Sequence, residues 1–411
     1  MVNKVYTIRE LKEGIDKQEW DFLGNNWICT LIREYVYNTW GIQIVFCDTE
    51  INNLGDRVFL VGQEKEMEKL AEKLCLKYNL KSITILSNEL KDIMDSEMMK
   101  KYPDVYEREI LIERKKEMDT VKSVEFSTRI NEILDKKSFP LFESIEIETI
   151  NRCNGTCSFC PINRNDDTRI LHKMSDELFY NIIDQLSELD YRGRVALFSN
   201  NEPFIDDRIC DFAKYAAQQL PNAIKIIFTN GTLVKESIFD KIIKYIDVFN
   251  FDIYYDTSIK DEIPNEFRNI IVHNQNNDVV KEKVMIQTID RSAIRNNRGG
   301  QSKNRKKIYK VESPCMLPFI QMIVRPNGET SLCCNDALGK YTLADLKRET
   351  LVEAWNNKNY KLIREKLQNT RQNVKMCKLC DNFASTNTIG NDFFSNKQKL
   401  EAWERIEGII K

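Results

Sequence analysis

From residue 144 onward the chain alternates strand-like and helix-like segments with little between them. That rhythm constrains the fold more than any other feature. SIEIETI (144–150), RVALFSN (194–200), AIKIIFTNG (223–231) and DVFNFDIYYD (247–256) are rich in β-branched and aromatic residues, as strands are. Between them, MSDELFYNIIDQLSEL (174–189) and the stretches 206–219 and 235–246 have a helical period, with Ser175 as an N-cap. Two further strands are expected near 268–273 and 284–289. Strands alternating with helices imply parallel βα units. Five or six such units make a partial barrel rather than a closed eight-stranded one. Chemistry then belongs at the C-terminal ends of the strands, and there the sequence places a cysteine loop, Glu202 and Asn230.

The 411-residue chain is longer than this region needs. Residues 1–140 read as a small accessory α/β domain. GIQIVFCD (41–48), DRVFLVG (56–62) and KSITILS (81–87) are strand-like, and KEMEKLAEKLCLKY (65–78) is an amphipathic helix with Met67, Leu70, Ala71, Leu74 and Tyr78 on one face. Gly62 alone is weak support for a nucleotide fold. Residues 107–136 are charge-rich and helical in pattern, a connector. The barrel-like core spans 141–305, a cysteine-containing module 306–385, and a tail 386–411. RNNRGGQSKNRKK (295–307) closes the core as a polar, basic turn or linker.

Charge is nearly balanced, with 61 Lys and Arg against 63 Asp and Glu. No basic field supports broad nucleic-acid binding. No stretch approaches an apolar membrane span, and the first residues lack a secretory apolar run. The expectation is a cytoplasmic protein without a membrane or nucleic-acid partner. There, twelve cysteines point to metal or catalysis rather than to disulfides. Cys29, Cys47, Cys75 and Cys210 stand alone, and Cys210 reads as core. Cys153, Cys157 and Cys160 form one group, and Cys315, Cys333, Cys334, Cys377 and Cys380 another.

The first group reads CNGTCSFC at 153–160. Soft thiolates suit iron–sulfur and zinc alike, but a structural zinc site takes four ligands. His172 lies twelve residues beyond Cys160 and reads as a loop or surface residue. Three thiolates without a fourth leave one iron of a 4Fe–4S cluster open to a small molecule.

C-x3-C-x2-C after a strand, in a loop of a partial barrel, resembles the radical S-adenosylmethionine (SAM) enzymes. The resemblance covers about residues 144–300 and implies a partial (β/α)6 TIM-like barrel. Phe159 matches the family's aromatic residue beside the adenine of SAM. Glu202-Pro203 resembles the end of the family's Gly-Gly-Glu-Pro segment, which contacts the SAM amino group. Asn200 and Asn201 replace its glycines and put the local backbone in question, because Gly permits turns that Asn adopts less readily. Asn230, in Thr229-Asn230-Gly231, either orients SAM or caps the loop. The resemblance implies that the open iron chelates the methionine part of SAM. It further implies that an electron cleaves SAM to a 5′-deoxyadenosyl radical, which abstracts hydrogen from carbon. An external one-electron reductant such as flavodoxin or ferredoxin is then implied.

The second group resembles shortened C-terminal modules, called SPASM or Twitch, of radical SAM proteins. Pro326-Asn327-Gly328 reads as a hairpin turn, Gly328 to Cys333 matches the G-x4-C element, and Leu351–Leu367 matches the helix before the last cysteine pair, with Trp355, Leu362 and Ile363 packing it. The cysteines are too few for the two auxiliary clusters of a full module. The resemblance implies one auxiliary 4Fe–4S cluster on Cys315, Cys333, Cys377 and Cys380, with Cys334 as an alternative to Cys333. Zinc is the competing metal. Packing or a hydrogen-atom donor are the other readings of Cys334.

A closed auxiliary cluster suits electron transfer, with a structural role as the plainer alternative. The combined expectation is an oxidoreductase that oxidises a small polar metabolite of the sugar or aminocyclitol kind. Peptide crosslinking, oxidation or epimerisation is the second reading, and a non-enzymatic iron–sulfur carrier the third. Asp252, Tyr254, Tyr255 and Asp256 lie near the fourth strand's end, but no catalytic base is assigned.

Overall fold

The structure is a computed structural model. It describes residues 2–17, 20–24, 26–47, 57–62, 64–78, 80, 82–163, 167–293, 295–302, 309–383 and 394–410. The chain divides into two compact units, 1–121 and 122–411.

In the first unit, strands β1 (Val2–Val5), β2 (Asp21–Leu23), β3 (Phe46–Cys47), β4 (Arg57–Leu60) and β5 (Ser82–Leu86) form a parallel sheet ordered β1-β5-β4-β2-β3. The helix Glu64–Tyr78 buries Ala71 and Leu74 against this sheet, while Leu70, expected on the same face, is 38% exposed. Strand order reverses beside β2, where an open α/β sheet commonly binds a nucleotide. Here the helix Trp27–Trp40 begins, and its N-terminus is already satisfied. Asn26 accepts from the backbone N–H of Ile28 and Cys29, and the Glu117 carboxylate accepts from the N–H of Trp27. The chain's own carboxylate therefore sits where a phosphate would bind.

The second unit is built on one eight-stranded sheet. Strands β6 (Ser144–Ile147), β7 (Arg194–Ala196), β8 (Ile224–Thr229), β9 (Val248–Tyr255) and β10 (Val284–Asp290) are parallel neighbours in sequence order. Helices Asp176–Glu188, Ile209–Gln219 and Glu236–Ile242 connect them. This is the partial barrel of parallel βα units that the sequence rhythm implies. Residues 268–273 are not a strand. They lie in the helix Asn265–His273, which buries Phe267, Ile270 and Ile271, the i, i+3, i+4 spacing of one helix face.

The sixth parallel strand comes instead from the other end of the unit. Strand β11 (Gln321–Val324) pairs in parallel with β6, Glu146 opposite Ile323 and Ile147 opposite Val324. It turns at Arg325–Gly328, with Gly328 at φ 87, into antiparallel β12 (Glu329–Ser331) and then β13 (Thr342–Asp345). The strand that feeds the first cysteine loop and the hairpin that carries Cys333 are thus adjacent in one sheet.

Leu351–Leu367 is two helices, Leu351–Trp355 and Lys358–Leu367, because Asn357 caps a new N-terminus. Trp355 and Ile363 are buried; Leu362 is 44% exposed. The tail helix Asn396–Ile410 covers the edge strand β10, with Trp403 and Ile406 buried and Lys399 donating to the Glu282 carbonyl (2.5 Å).

Candidate active site

Alternate residues at the C-terminal ends of the strands point inward and form layers. Ala196, Ile226 and Val248 form the lowest. Above them Phe198 and Phe228 stack at 4.6 Å with planes 12° apart. Asn200, Asn230 and Asp252 form the rim, and a cavity of about 290 Å³ lies over the aromatic pair.

The first cysteine loop closes one side of this cavity. It leaves β6 and returns through a bridge between Ile150 and Lys173, with the Asn151 N–H bonded to the His172 carbonyl at 3.2 Å. His172 serves that neck. Cys153, Cys157 and Cys160 all line the cavity, Cys157 buried and the other two half-buried. Gly155 donates its N–H to Cys153 Sγ (3.3 Å), and a Cβ there would lie 3.5 Å from that sulfur and 3.9 Å from Cys157 Sγ. Burial pushes the Cys153 thiol up to about 12 and raises Cys157. Burial therefore favours the neutral form of Cys153 and Cys157, and a cationic metal group would reverse that. Phe159 is buried beside Tyr254 (6.0 Å) with the Arg295 guanidinium 5.2 Å from its ring centre, and it too lines the cavity.

Glu202 sits opposite. Its carboxylate accepts from Thr229 Oγ1 (2.7 Å), the Asn230 N–H (2.8 Å) and the Phe204 N–H (3.2 Å). Burial nevertheless pushes it up to about 7, against the pull of those donors. A cationic amino group beside it would restore the charge. Its own N–H bonds to the Arg152 carbonyl (2.9 Å), which ties the segment to the cysteine loop. Asn230 does likewise: its amide donates to Asn154 Oδ1 (2.7 Å) and its oxygen accepts from Thr232. Neither Asn200 nor Asn201 adopts positive φ, so the missing glycines cost no backbone strain.

Asn200 reaches away from the first cysteine loop. Its amide donates to the Cys334 carbonyl (3.1 Å), and its oxygen accepts from Arg298 Nη1 (3.0 Å), which also donates to that carbonyl (3.1 Å). Below it lies Glu146, half-buried, accepting from Ser199 Oγ (2.7 Å) and Gln321 Nε2 (2.8 Å). Burial pushes Glu146 up to about 7, with Ser199, Arg298 and Arg194 pulling it down. Asp252 is pushed to about 6 by burial, although Asn250 donates to it (2.8 Å). Tyr254 packs on Phe159, and Asp256 pairs with Arg291 (2.7 Å) outside the rim.

Sequence reasoning missed Glu146 and Arg298. Arg298 lies in the segment expected to be a solvated linker, of which 303–307 fall outside the described residues. The Arg-Gly-Gly turn instead braces the second cysteine group. A Cβ at Gly299 would meet Met376 at 2.5 Å, and Asn297 bonds to Asp381 (2.8 Å) and the Leu379 carbonyl (2.6 Å). The adjacent glycines after Asn297 were the available signal, since they mark a tight turn more than a spacer.

Cys315, Cys333, Cys377 and Cys380 are all buried. Cys334, Cys377, Cys315 and Cys380 all act on Cys333, whereas Glu146 and Arg298 act on Cys334 ahead of Cys380 and Cys315. The two adjacent thiols therefore face different surroundings. Arg371 is buried and joins the flanks of this group, donating to the carbonyls of Ser313 (3.0 Å) and Asn382. Among the described residues, Glu236, Asp240 and His273 on the outer helices are the one trio gathered to single-ion spacing, with His273 Nδ1 3.1 Å from Glu236. Neither cysteine group is drawn in that far. Three thiolates around the cavity and four buried ones downstream are soft donor sets of the kind that hold iron–sulfur clusters.

Residues 147–284 match the Radical SAM superfamily, and residues 315–381 match SPASM, an iron–sulfur cluster-binding domain. The S-adenosyl-L-methionine-dependent 2-deoxy-scyllo-inosamine dehydrogenase of Niallia circulans is 28% identical over 244 residues, 59% of this chain and 94% of that protein. The crystal structure of BtrN in complex with AdoMet and 2-DOIA superposes with a TM-score of 0.53 at 25% identity, covering 61% of this chain and 97% of that one. These matched domains imply iron–sulfur and SAM binding.

Proposed function

We propose, from the premise that this chain is a radical SAM superfamily enzyme with a C-terminal SPASM-type iron–sulfur module, that it oxidises a small polar metabolite of the sugar or aminocyclitol class. Cys153, Cys157 and Cys160 would hold a 4Fe–4S cluster with one iron open to SAM. Cys315, Cys333, Cys377 and Cys380 would hold a second, closed one. When bound, the first group with SAM supplies the hydrogen-abstracting radical and the second an electron acceptor.

The observation that carries this reading is the part-buried polar chain between the two cysteine groups. It runs from Glu146 through Ser199 and Gln321 to Asn200, Arg298 and the Cys334 carbonyl. Oxidising an alcohol to a ketone removes a hydrogen atom from carbon, then a proton from oxygen and one electron. Glu146, near neutral in its proton affinity, suits the proton, with Ser199 at the cavity wall as its contact. The Phe198–Phe228 pair offers an apolar floor to one face of a ring, and Asn200, Ser199 and Arg298 offer donors and acceptors to its hydroxyls. Phe159 and Glu202 border the part of the cavity where the SAM adenine and amino group would lie. The relative named as a 2-deoxy-scyllo-inosamine dehydrogenase supports the same substrate class. A flavodoxin or ferredoxin in a reducing cytoplasm would supply the priming electron.

The test is anaerobic reconstitution with iron, sulfide and zinc quantified, followed by reduction with SAM and assay of 5′-deoxyadenosine. About eight irons per chain with SAM cleavage supports both clusters. About four irons plus zinc removes the acceptor and with it the oxidation. Cyclitols, aminocyclitols and sugars are then screened for ketone formed one-to-one with 5′-deoxyadenosine. Ketone without that equivalence sinks the reading.

A further inference from the structure

We infer that Arg169 is a positioning residue that locks the first cysteine loop to the second and sets the electrostatic environment of the group held there. The inference rests on the reading that Cys153, Cys157 and Cys160 hold a cluster.

Arg169 lies on the returning limb of the first loop, its side chain only 12% exposed. Its guanidinium makes contacts in four directions. Nε and Nη2 donate to Asp167 (2.8 and 3.1 Å), Nη2 to the Asn151 carbonyl (3.3 Å), and Nη1 to the Ala337 carbonyl (3.2 Å), with Glu148 3.9 Å away. Asn151 opens the first loop, and Ala337 follows the Cys333-Cys334 pair. Asp167 continues the connection by accepting from the Asn163 N–H (3.0 Å). Asn163, held at φ 58, donates its side-chain amide to the carbonyls of Cys153 and of Gly155. An unbroken path of hydrogen bonds thus runs from the second cysteine loop to the backbone of Cys153. Arg152 braces it by donating to the Arg169 carbonyl (2.8 Å).

The residue type matters. Only a planar guanidinium presents enough fixed donors to satisfy a carboxylate and two carbonyls at once; a lysine ammonium keeps the charge but not the fork. The charge also stands on the limb that returns from the first group, tied to it through Asp167 and Asn163. A positive charge near a cluster favours its reduced, more negative form. Arg169 therefore eases reduction of the first cluster while fixing its loop. Glu148 and Asp167 share that charge, so its removal leaves Asp167 without its cationic partner and Glu148 with Arg325 alone.

The test compares R169K, R169Q and N163G in the reconstituted full chain. N163G removes the last link but keeps the backbone, since glycine accepts the positive φ at this position. It keeps the inference testable should R169Q fail to fold. The readouts are the midpoint potential of the first cluster, its electron paramagnetic resonance spectrum with and without SAM, and hydrogen exchange across 151–169 in the cluster-free chain. R169Q is expected to shift the potential more negative than R169K does. R169K and N163G are both expected to broaden the SAM-bound spectrum and speed exchange across the loop. Wild-type spectra and exchange in both R169K and N163G would overturn the inference. A wild-type protein that loads no SAM-responsive cluster would instead overturn the reading beneath it, and the variants need not be compared.

Discussion

The two cysteine groups use the same ligand and reach opposite environments. In the first, two of three thiols are half-buried and all three border a cavity. In the second, four thiols are buried and closed in by Arg371 and the Arg-Gly-Gly turn. An open coordination position is useful only where a small molecule can reach it, and a closed set is useful where nothing should. On the proposed reading, this difference in burial separates the reactive site from the electron acceptor more clearly than ligand count does.

The comparison can be broken most directly at its ligands. C157A is expected to reduce 5′-deoxyadenosine formation to background and to lower iron by about four per chain, leaving the second group loaded; retained SAM cleavage would refute the assignment. C333A is expected to do the converse, losing the second iron set and ketone formation while still cleaving SAM. C334A should keep its iron, and a loss equal to that of C333A would reverse the assignment of the two adjacent thiols.

A smaller effect tests what lies between the groups. If ionised Glu146 accepts the substrate proton, turnover should rise with pH through about 7, because burial has raised its proton affinity and only the deprotonated form acts. E146Q should lower kcat by about 10²-fold or more and flatten that limb. An unchanged profile would move the base elsewhere, with Asp252 next to be tested. The smallest expected effect is at the floor. F228L should raise KM about 2- to 10-fold with kcat little changed, the worth of one aromatic contact.

Much of this was legible in the chain. The core strands announced themselves through β-branched runs, and the helices through their period. The stretch 268–273 deceived because Ile270, Ile271 and Val272 look strand-like locally, while Phe267 three residues earlier completes a helical face. The reactive loop was legible because its ligands are close in sequence. Glu146 was not, because a carboxylate in a strand reads as an outward residue until β11 pairs with β6 and brings Gln321 to it. Arg298 was missed because polarity and glycine suggest solvent, whereas that turn packs against the helix Lys375–Leu379.

By itself the sequence determined the ligand chemistry: three clustered thiols in a loop after a strand, a second cysteine set downstream, and the period of the elements between them. Local spacing and side-chain identity suffice for that. That Arg298 stands beside the Cys334 carbonyl, and which carboxylate lies between the two groups, only the tertiary structure decided. Both depend on strand β11 crossing some 175 residues of sequence to lie beside β6. Pairing at that separation follows from burial of the whole sheet, and no local pattern encodes it.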